Sequence, residues 1–324
     1  MTPSPRFSRR QLLAAAAAVC ATAHAQPAPW PGRSIRMVTP SPPGIAPDVF
    51  ARLYADHLSK ALGVSVVVDN RPGASMIIAT DHVAKAAPDG YTVLYGFNSP
   101  LTMNPALFSK LPYNAQKDFT PIVQNITGAY FVLASRDFGP SHPTELVEAA
   151  RAQPGEITYA SYGAGSAAHL GFELLQDAAK IQLRHVPYRQ GALQDVIAGR
   201  VPLVIEPAAT ALQFLKADKV KALAFTGTAR HPLAPMVPTL TELFPGVELL
   251  GWHGVWAPVG TPPAIVARLN TELNRITQSP EMRTRVIEMG FEPTTSTPEQ
   301  LGEIVARESA AWGRLIKAKG IRLD

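Results

Sequence analysis

Short apolar runs alternate along this chain with segments whose apolar residues recur every three to four positions, and few architectures accept that order. Runs at 34–39, 64–69, 92–96, 156–160, 202–205 and 221–226 read as strands. Between the first two, Val49, Phe50, Leu53, Tyr54, His57, Leu58, Ala61 and Leu62 fall at helical spacing, and 76–86, 144–152, 191–199 and 208–216 carry helical patterns too. Strand and helix in turn call for a mostly parallel sheet with helices on its faces, an α/β fold. Three further helical patterns, at 263–278, 280–289 and 298–319, each place proline in the first turn, where its missing amide is tolerated. Their mixed Glu and Arg faces predict solvated surface helices.

One connection stands out. After the run ending at Ala160 comes a loop with Ser161, Gly163, Gly165 and Ser166, and then a helix with Leu170, Leu174 and Leu175 on one face. Glycine allows positive φ and close backbone approach, and Ser166 suits the N-cap of the helix that follows. Two readings stand side by side: an ordinary capped strand-to-helix turn, or a loop whose unpaired amides and helix dipole receive a carboxylate.

The N-terminus carries Arg6, Arg9 and Arg10, then a small apolar run from Leu12 to Ala23, then Ala23, His24 and Ala25. This order predicts an export signal over residues 1–25, with Arg9 and Arg10 fitting the twin-arginine route, although paired arginines occur in ordinary Sec signals too. The apolar run is too short and alanine-rich for a bilayer span. The single cysteine, Cys20, falls inside the signal, so neither disulfide nor thiol chemistry is expected of the mature chain. Loss of the signal removes three arginines and no acid, lowering the formal net charge from +5 to +2. With no basic, aromatic-laced cluster left, the sequence argues against nucleic acid as a partner. No apolar run after residue 25 approaches eighteen residues, and a soluble monomer is expected.

A resemblance accumulates along the chain. Asn70, Arg71, Pro72, Gly73 and Ala74 come first, then Val83 to Thr92 with its Pro88, Asp89, Gly90 and Tyr91, then Asn104-Pro105, Leu111-Pro112-Tyr113 and Asp118-Phe119. Tyr159 to Ser161 with Gly163 to His169, His185 to Tyr188, Gly251-Trp252, Ala257-Pro258 and Gly260 to Pro262 follow in the same order. Together these resemble the substrate-binding proteins of tripartite tricarboxylate transporters, the Bordetella uptake family. The resemblance implies a periplasmic-binding-protein fold of the type II class, with two α/β lobes joined by a two-strand hinge. Residues 26–125 and 251–324 would form lobe one, on which the three C-terminal helices would pack, and residues 126–250 lobe two. The extended stretches 120–135 and 252–257 would be the crossings. It further implies a periplasmic protein that captures a small carboxylate and delivers it to membrane permease subunits, without cofactor or metal.

Ligands of open α/β sheets settle beyond the carboxyl ends of the strands. The loops expected there supply Pro43, Gly44, Ile45, Ala46, Asp48, Ser75, Met76, Asn98 and Ser99 from one lobe. The other supplies Ser161, Gly163, Ala164, Gly165, Ser166, His169, Tyr188, Gln190 and Glu206. Asp48 is read chiefly as a dipole partner in its helix's first turn. Glu206 could accept from a ligand or pair with a nearby base, Arg189 is either a pocket-side cation or solvated, and Tyr188 and Trp252 are read chiefly as packing residues, with lining of the cleft by an aromatic near the hinge as the alternative. Where the family usually carries paired glycines, this chain has Ile45, Ala46 and Pro47, and later Ser75, Met76 and Ile77. The bulk at Ile45, Met76 and Ile77 favours an acid with a hydrophobic or aromatic body. A hydrolase built on Ser166, His169 and Asp48 or Glu206 is the competing reading, although no Gly-x-Ser-x-Gly elbow and no zinc or phosphate-loop motif is present. Input to a sensor kinase is a third.

Overall fold

The structure, a computed structural model, describes residues 30–323, so the export segment expected over residues 1–25 lies outside the described residues. β1 (Ile35–Thr39) buries Ile35, Met37 and Val38 completely, as a parallel strand covered on both faces must. It leads into α1 (Ala46–Leu62), which stops at Gly63 with φ of 71° and the Gly63 amide on the Ser59 carbonyl at 2.9 Å. β2 (Val66–Asn70), α2 (Ile77–Ala84), β3 (Thr92–Phe97) and α3 (Asn104–Leu107) complete the first run. β4 (Phe119–Ser135) then leads to α4 (Pro143–Ala152), β5 (Thr158–Ser161), α5 (Ala167–Ala179), β6 (Arg184–Pro187) and α6 (Ala192–Ile197). β7 (Leu203–Pro207), α7 (Ala208–Lys216), β8 (Val220–Phe225) and α8 (Leu240–Leu243) follow, and β9 (Leu250–Pro258) returns. The chain closes with α9 (Pro263–Gln278), α10 (Pro280–Glu288), β10 (Glu292–Pro293) and α11 (Pro298–Ala318).

Among the described residues, the strands form one curled sheet in the order β2-β1-β3-β9-β4-β7-β5-β6, with β8 and β10 also on β4. β4 decides the architecture. Its first part pairs antiparallel with β9, from Phe119 opposite Pro258 to Ala129 opposite Leu250, and its second part pairs with β7 and β8. β9 pairs in turn with β3. These two strands therefore tie a β1-β2-β3 lobe to a β5-β6-β7 lobe, the two-lobed α/β fold with a two-strand hinge.

Each part of the sheet is covered on both faces. Ile35, Phe50, Tyr54, Val255 and Leu269 pack on one side of the first lobe, and Val38, Leu94, Trp256 and Leu301 on the other. In the second lobe Tyr159, Phe172, Leu203 and Ile205 oppose Phe131, Leu133, Val204 and Leu193. β6 has no fully buried residue and no apolar alternation, because it is an edge strand held by register to β5.

α11 corrects one expectation. Leu301 and Val305 pack in the first lobe, but Trp312, Leu315 and Ile316 enter the core of Phe172 and Leu249 in the second. A helix of 21 residues spans about 30 Å and reaches both cores. Trp252 Nε1 donates to Glu308 Oε1 at 2.7 Å midway along it, and Lys319 lies 3.2 Å from Glu173 at its end.

Candidate functional site

The two hinge strands lose their side chains where they cross the space between the lobes. A Cβ at Gly128 would sit 2.6 Å from the Phe291 ring, and one at Gly251 would sit 2.7 Å from the Tyr130 hydroxyl. Glycine at these positions lets the two aromatic side chains lie on the hinge backbone. They help to line a cavity of about 600 Å³ whose first-lobe wall is Ala46, Pro47, Phe97, Asn98 and Ser99. Pro207, Ala209 and Thr210, at the start of α7, face them from the second lobe, and Trp252 and His253 complete the floor. The lobes also meet beside the cavity, where a Cβ on Gly290 would lie 2.6 Å from the Ala209 Cα.

Among the described residues no lysine or arginine lines this cavity. Burial pushes His253 down to about 3, and its ring sits among Phe50, Tyr95, Phe97 and Phe291, so it is neutral near pH 7. Asn98 is tied through Nδ2 to the Leu250 carbonyl at 3.0 Å. The Ser99 and Thr210 hydroxyls make no hydrogen bond among the described residues.

Of the residues expected from sequence, Ala46, Asn98 and Ser99 meet in this cavity. Pro43, Gly44 and Ile45 form the exposed crest of the first loop, with Ile45 47% exposed. Asp48 holds that crest in place. Its buried carboxylate accepts from the Gly44 amide at 2.8 Å, Asn70 Nδ2 at 2.7 Å and Arg52 Nε at 3.1 Å. Burial opposes its ionisation, but the bonds from Arg52, Gly44 and Asn70 prevail and hold the carboxyl below its ordinary value.

Ser75 and Met76 sit in a turn where Ala74, Ser75 and Met76 have φ of 45°, 51° and 73°, a conformation glycine would adopt at lower cost. The Ser75 carbonyl accepts from Asn104 Nδ2 at 2.8 Å. Ile77, expected to give the site apolar bulk, packs instead in the core with Val38 and Leu94. The apolar character of the cavity comes chiefly from Phe97, Tyr130, Met289 and Phe291, while the Trp252 ring is buried in the first-lobe core.

The glycine loop of the second lobe is more self-contained than its sequence suggested. The Gly163 amide donates to Ser161 Oγ at 3.1 Å and the Gly165 amide to His169 Nδ1 at 3.0 Å. The Ser166 amide bonds the Gly163 carbonyl at 3.2 Å, and the His169 amide bonds Ser166 Oγ at 3.3 Å. The amides of Ala164, Ala167 and Ala168 are left without a partner among the described residues. Gly165 also packs on Leu107 and Leu323.

The helix cap and the His169 contact occupy the pair that a hydrolase reading would use. Ser166 Oγ donates to the Gly163 carbonyl at 2.8 Å rather than to His169. A different pair is close, Ser161 Oγ to His185 Nε2 at 2.5 Å, but Ser161 is fully buried. His185 stacks on His169 with ring centroids 4.0 Å apart, and burial followed by the neighbouring His169 lowers it to about 4.

Glu206 is buried at the end of β7 and accepts a short hydrogen bond from the Tyr162 hydroxyl, where a base had been one expectation. Burial raises its carboxyl to about 7, against the pull of the Tyr162 bond. Tyr188 donates to Asp195 Oδ2 at 2.8 Å, while Arg189 and Gln190 are exposed on the turn that follows β6. The cavity residues missed by sequence include Phe97, Tyr130, Thr210, Gln213, His253 and Phe291. Glycine beside an aromatic at Gly128 and Tyr130, Gly251 and Trp252, and Gly290 and Phe291 was the available signal.

Among the described residues no three His, Cys, Asp or Glu side chains come together to hold a metal ion, and no helix is long and apolar enough to cross a membrane. The model of the tripartite tricarboxylate transporter family receptor matches residues 50–321. The chain belongs to this receptor family. It is 38% identical over 291 residues to the UPF0065 protein in the tcbD-tcbE intergenic region of Pseudomonas sp. strain P51, covering 89% of this chain and 86% of that one. Among solved structures it is similar to R. palustris Rpa4515 with adipate, at 33% identity and a TM-score of 0.78, over 91% of this chain and all of that one. MatC from Rhodopseudomonas palustris with bound malate gives 31% identity and a TM-score of 0.74, over 89% of this chain and all of that one. Those two structures hold adipate and malate respectively.

Proposed function

We propose that the protein works in the periplasm as a monomer, holds a small carboxylate between its lobes without performing chemistry on it, and passes it to the membrane subunits of a tripartite tricarboxylate transporter. The observation that carries this reading is the cavity of about 600 Å³ between helix starts of both lobes, floored by the hinge. A ligand there touches both lobes and so favours the closed arrangement by its differential contacts. Helix N-termini attract carboxylate, and a volume of this size suits a small organic acid.

In this reading lobe one is residues 26–125 with 251–324, lobe two is 126–250, and the division follows the strand pairing of β4 and β9. The first loop and the Ala164, Ala167 and Ala168 amides form the rim that meets the ligand on closure. Residues 1–25 act as its export signal. Against catalysis stands the engagement of Ser166 and His169 in capping the loop.

The test is a thermal-shift panel of mono-, di- and tricarboxylates on the mature protein. A ligand at one hundred times its Kd stabilises by about 2.7 kcal/mol. At least one acid should raise the melting temperature saturably, with a Kd near micromolar, or roughly −8 kcal/mol. A flat response across the panel overturns the reading.

A further inference from the structure

We propose that the acid carries a single carboxylate on an apolar, aromatic-sized body, with the carboxylate against the Ser99 and Thr210 hydroxyls and the body among Phe97, Tyr130 and Phe291. This rests on the carboxylate-capture reading above and narrows it to one class.

The charge inventory of the cavity is the first ground. Among the described residues its ionisable lining consists of His253, Glu288 and Tyr130, whose phenol burial keeps neutral. His253 is held neutral by burial, and Glu288 is an acid already 3.3 Å from Arg285. Arg283 stands farther along, on the wall of an adjoining cavity of about 610 Å³ that is continuous with this one through Gln213, Glu288 and Phe291. A carboxylate taken from water into such a space needs hydrogen-bond donors in exchange, and a second or third one needs as many again.

Donors for one carboxylate are present. Ser99 and Thr210 stand on opposite lobes, both half-buried, with hydroxyls that bond nothing else among the described residues. Thr210 lies in the first turn of α7, a nine-residue helix whose positive end adds to the attraction. The start of α1 is a poorer donor, since Pro47 has no amide hydrogen.

Apart from Asn98, Gln213, His253 and Glu288 the remaining surface is aromatic or aliphatic, and its aromatic part stands on the hinge strands, at a strand end or packed on the hinge backbone. Phe97 ends β3, Tyr130 lies on β4, and Phe291 rests on Gly128. Rigid aromatic walls reward a flat apolar body. A polar dicarboxylate such as malate would leave those walls unused and its second charge unpaired.

Isothermal titration of the mature protein with benzoate, phenylacetate, adipate, malate and citrate tests this. Benzoate or phenylacetate should bind at least tenfold more tightly than malate and citrate. Thr210→Val should weaken the better aromatic acid about tenfold. Gln213→Arg, at an exposed position on the cavity wall, should supply the missing cation and raise adipate affinity relative to benzoate about tenfold. Arg283→Ala should leave the order unchanged. Malate or citrate binding as tightly as the aromatic acids overturns the inference while leaving carboxylate capture standing, and so does an unaltered preference in Gln213→Arg or a lost one in Arg283→Ala. Absence of binding by every acid overturns both.

Discussion

Replacing Glu206 with glutamine should stabilise the protein above neutral pH and do little in mild acid. The carboxyl is 3% exposed at the end of β7, and burial raises it from 4.5 to about 7 even though Tyr162 donates to it. A folded-state value above the unfolded one means that the native protein keeps a proton the unfolded chain has released. Stability from this group is thus undiminished below pH 4.5 and falls as pH rises towards 7. At 1.36 kcal/mol per pH unit, the loss on reaching pH 8 is about 3 kcal/mol. Glutamine cannot ionise and still offers an oxygen to Tyr162, so the variant escapes that loss.

The wild-type profile alone does not isolate the effect. Glu308, raised by burial to about 7, bends stability the same way. His185 and His253, lowered to about 4 and about 3, act in the opposite sense: each favours the folded state as pH rises through its folded value towards 6.5. The difference between wild type and Glu206→Gln cancels these shared contributions. Urea unfolding at pH 4.5 and pH 8 should give free energies of unfolding that nearly coincide in acid and separate by about 3 kcal/mol in base. A difference that stays constant across this range, or a variant less stable than wild type at pH 8, would refute the reasoning.

Asp48→Ala leaves the Gly44 amide, Asn70 and Arg52 without their acceptor, and should cost about 2–3 kcal/mol by urea midpoint at pH 7. Because the folded Asp48 value is lowered, the wild-type advantage over this variant should shrink as pH falls below the ordinary value of 3.8. Met76→Gly relieves a left-handed conformation with φ of 73°, and should gain about 0.5–1 kcal/mol after the entropy of glycine is counted; a loss of stability would contradict it. Gly290→Ala drives a Cβ to 2.6 Å from the Ala209 backbone at a φ of 76°. It should cost about 1–3 kcal/mol and enlarge the radius of gyration by solution scattering, and an unchanged radius and midpoint would show that the contact yields.

Local pattern made much of the architecture legible. The 3.6-residue spacing behind α1, the proline starts of α9, α10 and α11, and the apolar runs of β1 and β7 recovered those elements to within a residue or two, because each reflects a period imposed by the backbone. β6 lacked any such period, and its place came only from pairing Thr158 with Arg184 through Ser161 with Pro187. The reach of α11 into both cores was hidden for a related reason: a helical stripe states which residues are buried, not against what.

What the sequence determined by itself was the α/β order, the hinge runs, the family and the loops at the ends of the strands. The tertiary structure decided how those loops are used. It engaged most amides of the glycine loop within the loop itself, turned Asp48 into the post that holds the first loop, and buried Glu206 under Tyr162. It also brought Phe97, Tyr130, Trp252 and Phe291, residues far apart in the chain, into one cavity with Ser99 and Thr210. Sequence periodicity records the burial each residue requires, whereas the partner that provides it is set by sheet register and lobe packing, which are long-range and leave no local mark.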